Sequence, residues 1–291
     1  VAWVLASAGL DPSFLIGGVI PQLGGTAGFG RGPFFVVEAC EYDRSFLNYR
    51  PEAALVTNID ADHLDYYRDL DEIAEAFAAF AAGAGHVVAC GDDPRAARLA
   101  ASTYGFSEGC LWRMSELAAS PSGSRFRLEG PTVSLELSTP LAGRHNALNM
   151  AGAAVLCLSL GVPGVVVVAG LASFRGAGRR LECLGEVRGI HLYDDYGHHP
   201  REIACTLEAL RQRHPGHPIR VIFQPHQFHR TRVFLGEFAR VLAEGVAEVV
   251  VPGIYGARDA SGPLPVASGD LVDAIAAAGG RASLAVGLDE A

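Results

Sequence analysis

The sequence predicts an α/β protein of two domains built on mainly parallel sheets. Three observations carry this. Short β-branched runs alternate with helical patterns along the whole chain, the signature of strand–helix–strand units with helices on both sheet faces. Polar residues collect where four of those runs end, and open α/β sheets bind ligands at that edge. The length, 291 residues, suits two domains at ~100–200 residues each.

Residues 1–10, "VAWVLASAGL", already read as helix. Candidate strands follow at 34–39 ("FFVVEA"), 53–58 ("AALVTN"), 86–90 ("HVVAC"), 191–195 ("HLYDD"), 220–224 ("RVIFQ") and 248–253 ("EVVVPG"). Helical patterns occupy 71–83, with Ile73, Ala76, Phe77 and Phe80 on one face, then 94–103, 146–160, 201–213 and 232–245. Residues 123–139 alternate like an antiparallel hairpin. Residues 151–172 carry no charge, but "GVPG" at their middle splits them into two buried helices rather than one membrane span. A glycine-bearing stretch, 173–185, marks the break, giving domains 1–174 and 175–291. Neither terminus resembles a natural domain boundary, so the chain is expected to be a piece of a longer protein.

Composition narrows the function classes. Hydrophobic residues make up 49% and charged residues 19%, with net charge −9, and no Lys/Arg run exceeds "GRR". That argues against nonspecific nucleic-acid binding, which needs many phosphate-neutralising cations. Cys40, Cys90, Cys110, Cys157, Cys183 and Cys205 form no C-x-x-C pair, so buried free thiols in a reducing cytoplasm are expected rather than zinc or redox chemistry.

Four segments carry chemistry. In "GRHNALNMAGA" (143–153), Asn146 and Asn149 share a helix face, and amides match the donor–acceptor edge of adenine; Asn146 as a helix cap is the plainer reading. In "VTNIDADHLDYY" (56–67), with Glu38 upstream, a carboxylate and an imidazole at neighbouring strand ends suit one divalent ion completed by waters; the alternative is acids capping a helix at 62–67. In "DDYGHHP" (194–200), Pro200 suits a first helical turn and Gly197 a close approach to ligand, and polar contacts to a substrate or ribose fit better than a metal pair of adjacent histidines. In "FQPHQFHRTRVF" (223–234), His226, His229, Arg230 and Arg232 form a cationic loop able to clamp a carboxylate or phosphate, or simply a solvated basic turn.

Taken in order, "VVEACEYDRSFL", "VTNIDADHLD", "GRHNALN", "FRGAGRRLE", "YDDYGHHP" and "FQPHQFHRTR" resemble the Mur ligases over nearly all of the chain, and most strongly the branch that adds L-alanine to UDP-N-acetylmuramate. The resemblance implies a central ATPase-type domain with a mainly parallel sheet, then a Rossmann-like, incomplete C-terminal domain. It implies ATP and Mg²⁺ as cofactors, with Glu38 and His63 as metal ligands and Asn58 beside them. It implies His145, Asn146 and Asn149 at adenine, Arg180 near the nucleotide phosphates and Asp195 toward the ribose. Tyr196, His198, His226 and Arg230 would surround the amino-acid and muramyl carboxylates. The implied reaction, in peptidoglycan precursor synthesis in the cytoplasm, makes an acyl phosphate that the alanine amine attacks, with His198 as a base for the amine proton.

Departures qualify this. No phosphate loop G-x-x-x-x-G-K-[ST] occurs, and the UDP-sugar domain and the last part of the C-terminal domain lack counterparts, so this chain alone is expected to be inactive. Gln227 stands where many members carry arginine, weakening the carboxylate clamp, and Cys40 in "EACEYD" replaces a usual acid. Rival readings are a recycling ligase joining a tripeptide to the sugar, a metal-dependent hydrolase using "DADHLD" with "DDYGHH", and a non-catalytic binding module.

Overall fold

The structure, a computed structural model, describes residues 1–256 and 266–287. Its contacts divide the chain into two units, Val1–Asp195 and Tyr196–Ala291, a division later in sequence than the 174/175 break.

The first unit opens with helix α1 (Ala2–Ser7). Strands β1 (Ser13–Ile20), β2 (Gly25–Gly28) and β3 (Phe35–Val37) form a small sheet in which β1 pairs antiparallel with β2 and parallel with β3. A six-stranded sheet follows in the order β4 (Ala53–Val56), β5 (His86–Cys90), β6 (Ser102–Gly105), β7 (Trp112–Ser120), β8 (Gly123–Glu129), β9 (Ser134–Thr139). Its β4–β7 pairings are parallel and its β7–β9 pairings antiparallel, so the expected 123–139 hairpin forms and gains β7 as a third strand.

Two-residue alternation explains how helices cover both faces. On β5, Val88 and Cys90 enter a core with helix α3 (Arg144–Ser159), while Ala89 enters a second core with helix α2 (Leu70–Ala82). Ala54 and Val56 of β4 face the α2 side. Each fully buried Val, Leu, Ile or Phe here contributes about 1.5–3 kcal/mol. Helix α4 (Gly164–Ser173) completes the α3 side, so the uncharged 151–172 stretch is indeed two helices split at Gly161–Pro163. No helix among the described residues is long and apolar enough to cross a membrane.

Several expectations are corrected. The 94–103 helix is only a 3₁₀ turn (Ala96–Leu99) followed by β6, because Thr103 and Tyr104 prefer a strand and Tyr104 fills the core there. Residues 62–67 form a turn at 64–66 rather than a helix. The 191–195 strand, β11 (Ile190–Asp194), lies not in a parallel sheet but in a hairpin with β10 (Glu182–Val187). Arg188 (φ 53) and Gly189 (φ 80) make its two-residue turn, a geometry matched to strand twist. The cysteines are all free, but Cys40 and Cys183 are exposed rather than buried. Burial pushes the Cys90 and Cys157 thiols up.

The second unit has helix α5 (Pro200–Arg213) and an all-parallel sheet of β12 (Arg220–Ile222), β13 (Glu248–Val251) and β14 (Ala282–Leu284). The expected 232–245 helix is two pieces, α6 (Phe228–Val233) and α7 (Leu235–Ala243), because Phe234 at φ −101, ψ 17 leaves helical geometry between them. Helix α8 (Ser268–Ala277) leads to β14. Leu207, Phe223, Phe238, Leu242, Val249 and Leu271 are buried in this unit.

Candidate functional site

In the first unit, Glu38 follows β3 directly. Its Oε2 accepts the Gly17 N–H at 2.7 Å, and a Cβ on Gly17 would lie 3.2 Å from that oxygen, so glycine permits the approach. Oε1 makes no hydrogen bond among the described residues, and Glu38 forms no ion pair with His63.

His63 sits in the loop after β4 in a left-handed conformation, φ 54. Its Nε2 is 3.5 Å from Glu41 Oε1 and 3.9 Å from Asp62 Oδ2, and its ring lies 5.1 Å from that of Tyr42. The His63 hydrogen bond holds the Glu41 carboxyl below the usual range against the opposing effect of its burial. Glu41 was not anticipated, although it stands in the same "EACEYD" string as Glu38. Asn58 is exposed and bonds Thr57 Oγ1 at 3.2 Å. Among the described residues no group of three or more His, Cys, Asp or Glu gathers as a metal cluster. The donor set fits an ion of the Mg²⁺ kind, which takes one or two carboxylates and completes its shell with water and phosphate oxygens.

Helix α3 carries His145, Asn146 and Asn149 in its first two turns. Asn146 is not the cap: Gly143, at φ 97, holds that position, and Asn146 Nδ2 instead donates to the Ala142 carbonyl at 2.7 Å. Asn149 is exposed. Arg144 anchors the helix start, donating to Asp92 at 2.9 Å and lying 3.8 Å over the Phe106 ring. Because β5, β6 and α3 meet here, the three predicted nucleotide residues stand beside strand C-terminal ends.

Asp195 is tied to the residue that follows Arg180. Asp195 Oδ2 accepts the Leu181 N–H at 2.7 Å, and Arg179 pairs with Asp194 at 3.0 Å. Arg179 (φ 55) and Leu181 (φ 50) are both left-handed, which bends the chain around the acid.

In the second unit, "YGHHP" (196–200) leads into α5. His199 is its N-cap, with Nδ1 accepting the Arg201 N–H at 3.3 Å, and its ring packs on Phe234 at 4.9 Å. Pro200 occupies the first turn, as expected. Glu202 Oε2 accepts the backbone N–H groups of His198 and His199 at 2.9 and 3.2 Å, a reciprocal cap. So of the two histidines, the His199 ring caps the helix, and the His198 ring lies with Nδ1 3.1 Å from the Tyr196 carbonyl. A row of rings then runs Tyr196–His198 (5.5 Å), His198–His226 (6.0 Å) and His226–Tyr255 (5.3 Å). Arg230, buried, places NH1 3.5 Å from His226 Nδ1. Gln227 is also buried, as the first residue before α6, with φ 70. Tyr255 was missed: the Gln227 N–H donates to its carbonyl at 2.8 Å, prolonging the β12–β13 pairing beyond both strands. Sequence spacing gives no hint of that pairing.

A mixed α/β unit with polar loops after its parallel strands, followed by a parallel α/β unit of Rossmann type, defines a ligand-binding α/β protein. More narrowly, the chain belongs to the Mur ligase family: the profile of the Mur ligase middle domain matches residues 30–157, and that of the Mur ligase glutamate ligase domain matches 179–291. It is 42% identical to the UDP-N-acetylmuramate–L-alanine ligase of Renibacterium salmoninarum over 94% of this chain and 60% of that protein. The crystal structure of UDP-N-acetylmuramate-alanine ligase MurC from Thermotoga maritima superposes with a TM-score of 0.82 at 28% identity, covering 98% of this chain and 62% of that one. A murein peptide ligase from Psychrobacter arcticus shares the fold, with a TM-score of 0.68 at 22% identity over 99% of this chain and 66% of the other. The chain thus spans about 60% of the length of the curated relatives it matches.

Proposed function

We propose that this chain supplies the middle and C-terminal domains of an ATP-dependent ligase that joins L-alanine to UDP-N-acetylmuramate. The observation that carries the reading is the 42% identity to a ligase of that name across 94% of the chain. The domain break near 174/175 is part of the proposal and is supported by the second family profile starting at 179.

The residues take the following roles. His145, Asn146 and Asn149 hold the adenine, with Asn149 offering its amide from the exposed side of α3. Arg180 serves the phosphates and Asp195 the ribose. Glu38, through its second oxygen, and His63 hold Mg²⁺, with Asn58 alongside. When bound, the metal neutralises phosphate charge as the sugar carboxylate approaches. Arg230 and His226 orient the anionic ends of the substrates, Tyr196 lines the same row, and His198 accepts the amine proton. The buried Gln227 leaves the clamp to Arg230, so carboxylate binding weaker than in arginine-bearing members is expected.

Turnover by a protein carrying these two domains with the remaining length of its relatives tests the reading. ADP release should require both UDP-N-acetylmuramate and L-alanine. Release supported by a tripeptide and not by alanine would transfer the function to the recycling branch, to which the 22% likeness lends only fold.

A further inference from the structure

We infer that Asp92 is a positioning residue for the nucleobase: through Arg144 it fixes the first turns of α3, from which Asn146 and Asn149 read adenine. The inference rests on the nucleotide reading of α3 given above. Three separate segments converge on this carboxylate, which lies just past the end of β5. Its Oδ1 accepts both the backbone N–H and the hydroxyl of Ser107, each at 2.8 Å, from the loop after β6. Its Oδ2 accepts Arg144 NH2 at 2.9 Å. Each oxygen holds a different neighbour, so the carboxylate cannot turn toward one without leaving the other. Gly105, at φ 154, keeps the space open, since a Cβ there would stand 2.5 Å from Asp92 Oδ1.

Arg144 needs such a partner. It is the first residue of α3, where the positive end of the helix dipole repels a cation. Asp92 supplies the countercharge, and the Phe106 ring supports the guanidinium, with Cζ 3.8 Å from the ring centroid. No side chain caps this helix start, so the Asp92–Arg144 link is what ties its first turn to the loops after β5 and β6. Asn146 and Asn149 ride on the same rigid segment, and Asn149 is exposed. Their amides suit the N6 and N7 edge of adenine. Hydrogen bonds to that edge weaken steeply as angle and distance are lost, so releasing the first turn should impair reading of the base more than binding of the rest of the nucleotide.

Calorimetric titration of the 291-residue chain with Mg²⁺·ATP and with the Mg²⁺ complex of purine riboside triphosphate, which lacks only the 6-amino group, tests this. The parent should prefer ATP by up to about tenfold, the worth of one hydrogen bond. Asp92→Asn places an amide donor against Arg144 while keeping an oxygen for Ser107, and Arg144→Gln removes the cation; in both the preference should fall toward one. Arg144→Lys, which keeps a cation in reach of Asp92, should retain more of it than Arg144→Gln. Without nucleotide, amide hydrogen exchange at residues 147–150 should quicken in Asp92→Asn and Arg144→Gln. Equal weakening of both nucleotides with the preference intact would show a purely structural contact and overturn the inference, as would unchanged exchange. A parent that binds neither nucleotide, or both alike, would strike the adenine reading itself and this inference with it.

Discussion

Gly17 shows how one missing side chain controls a functional carboxylate. A methyl group there would meet both Glu38 oxygens, at 3.2 and 3.3 Å, tighter than ordinary contact, so the carboxylate must shift by a few tenths of an ångström and the Gly17 N–H bond is weakened. Gly17→Ala is expected to lower Mg²⁺-nucleotide affinity by about tenfold, the worth of one charge-assisted hydrogen bond at ~1.5–3 kcal/mol or somewhat less, with little change in unfolding midpoint. Equal affinity in calorimetric titration of the two proteins would show that Glu38 is not placed by this contact. The motif residues themselves were legible in the sequence because their types and order are unusual. Glu41, Glu202 and Tyr255 were not, because each acts through a partner that only folding supplies: the His63 ring, the backbone at the start of α5, and a strand extension opposite His226.

At the scale of elements, α2 and α3 carry distinct tests. Asp69 caps α2, its Oδ1 accepting the Glu72 N–H at 2.9 Å, and that bond, followed by the one from Arg68, holds its carboxyl below the usual range. A group depressed in the folded state stabilises above its unfolded pKa of about 3.9 and loses that contribution as pH falls through the folded value. Asp69→Asn keeps an oxygen at the cap but cannot ionise. Thermal melts between about pH 5 and pH 3 should therefore fall less steeply for the variant; parallel curves would contradict the assignment. On α3, a Cβ at Gly152 would come within 2.6 Å of the Tyr104 ring carbon and 2.7 Å of its hydroxyl. Tyr104 is fully buried, and burial drives its phenol far above the normal range, so it cannot yield toward solvent. Gly152→Ala should cost about 1–3 kcal/mol by overpacking, read by urea denaturation; a stability equal to the parent's would mean that α3 is free to shift. Elements that announced themselves by period, such as α2 and β5, were readable in advance. Those that did not were set by other forces: "SFLIGGVI" hides β1 behind paired glycines, and β10–β11 turns at Arg188–Gly189 without the usual Asn-Gly signal.

For the molecule as a whole, the residues assigned to metal and nucleotide come from separate strands and helices of the first unit. Its small sheet leaves Phe35 at 64% exposure, and Phe29, just past β2, is at 104%. Glu38 extends from that same sheet, while His63 and the start of α3 follow strands of the larger one. The central claim is that these segments serve one magnesium-bound nucleotide. Mn²⁺·ATP titrated into the ¹⁵N-labelled chain tests it most directly, because the paramagnetic ion broadens amide signals near its seat. Broadening centred on Glu38 and His63, with shifts at Asn146 and Asn149 that vanish in Asn149→Ala, is the predicted result. Broadening confined to other acidic surface, with those four residues untouched, would contradict the account.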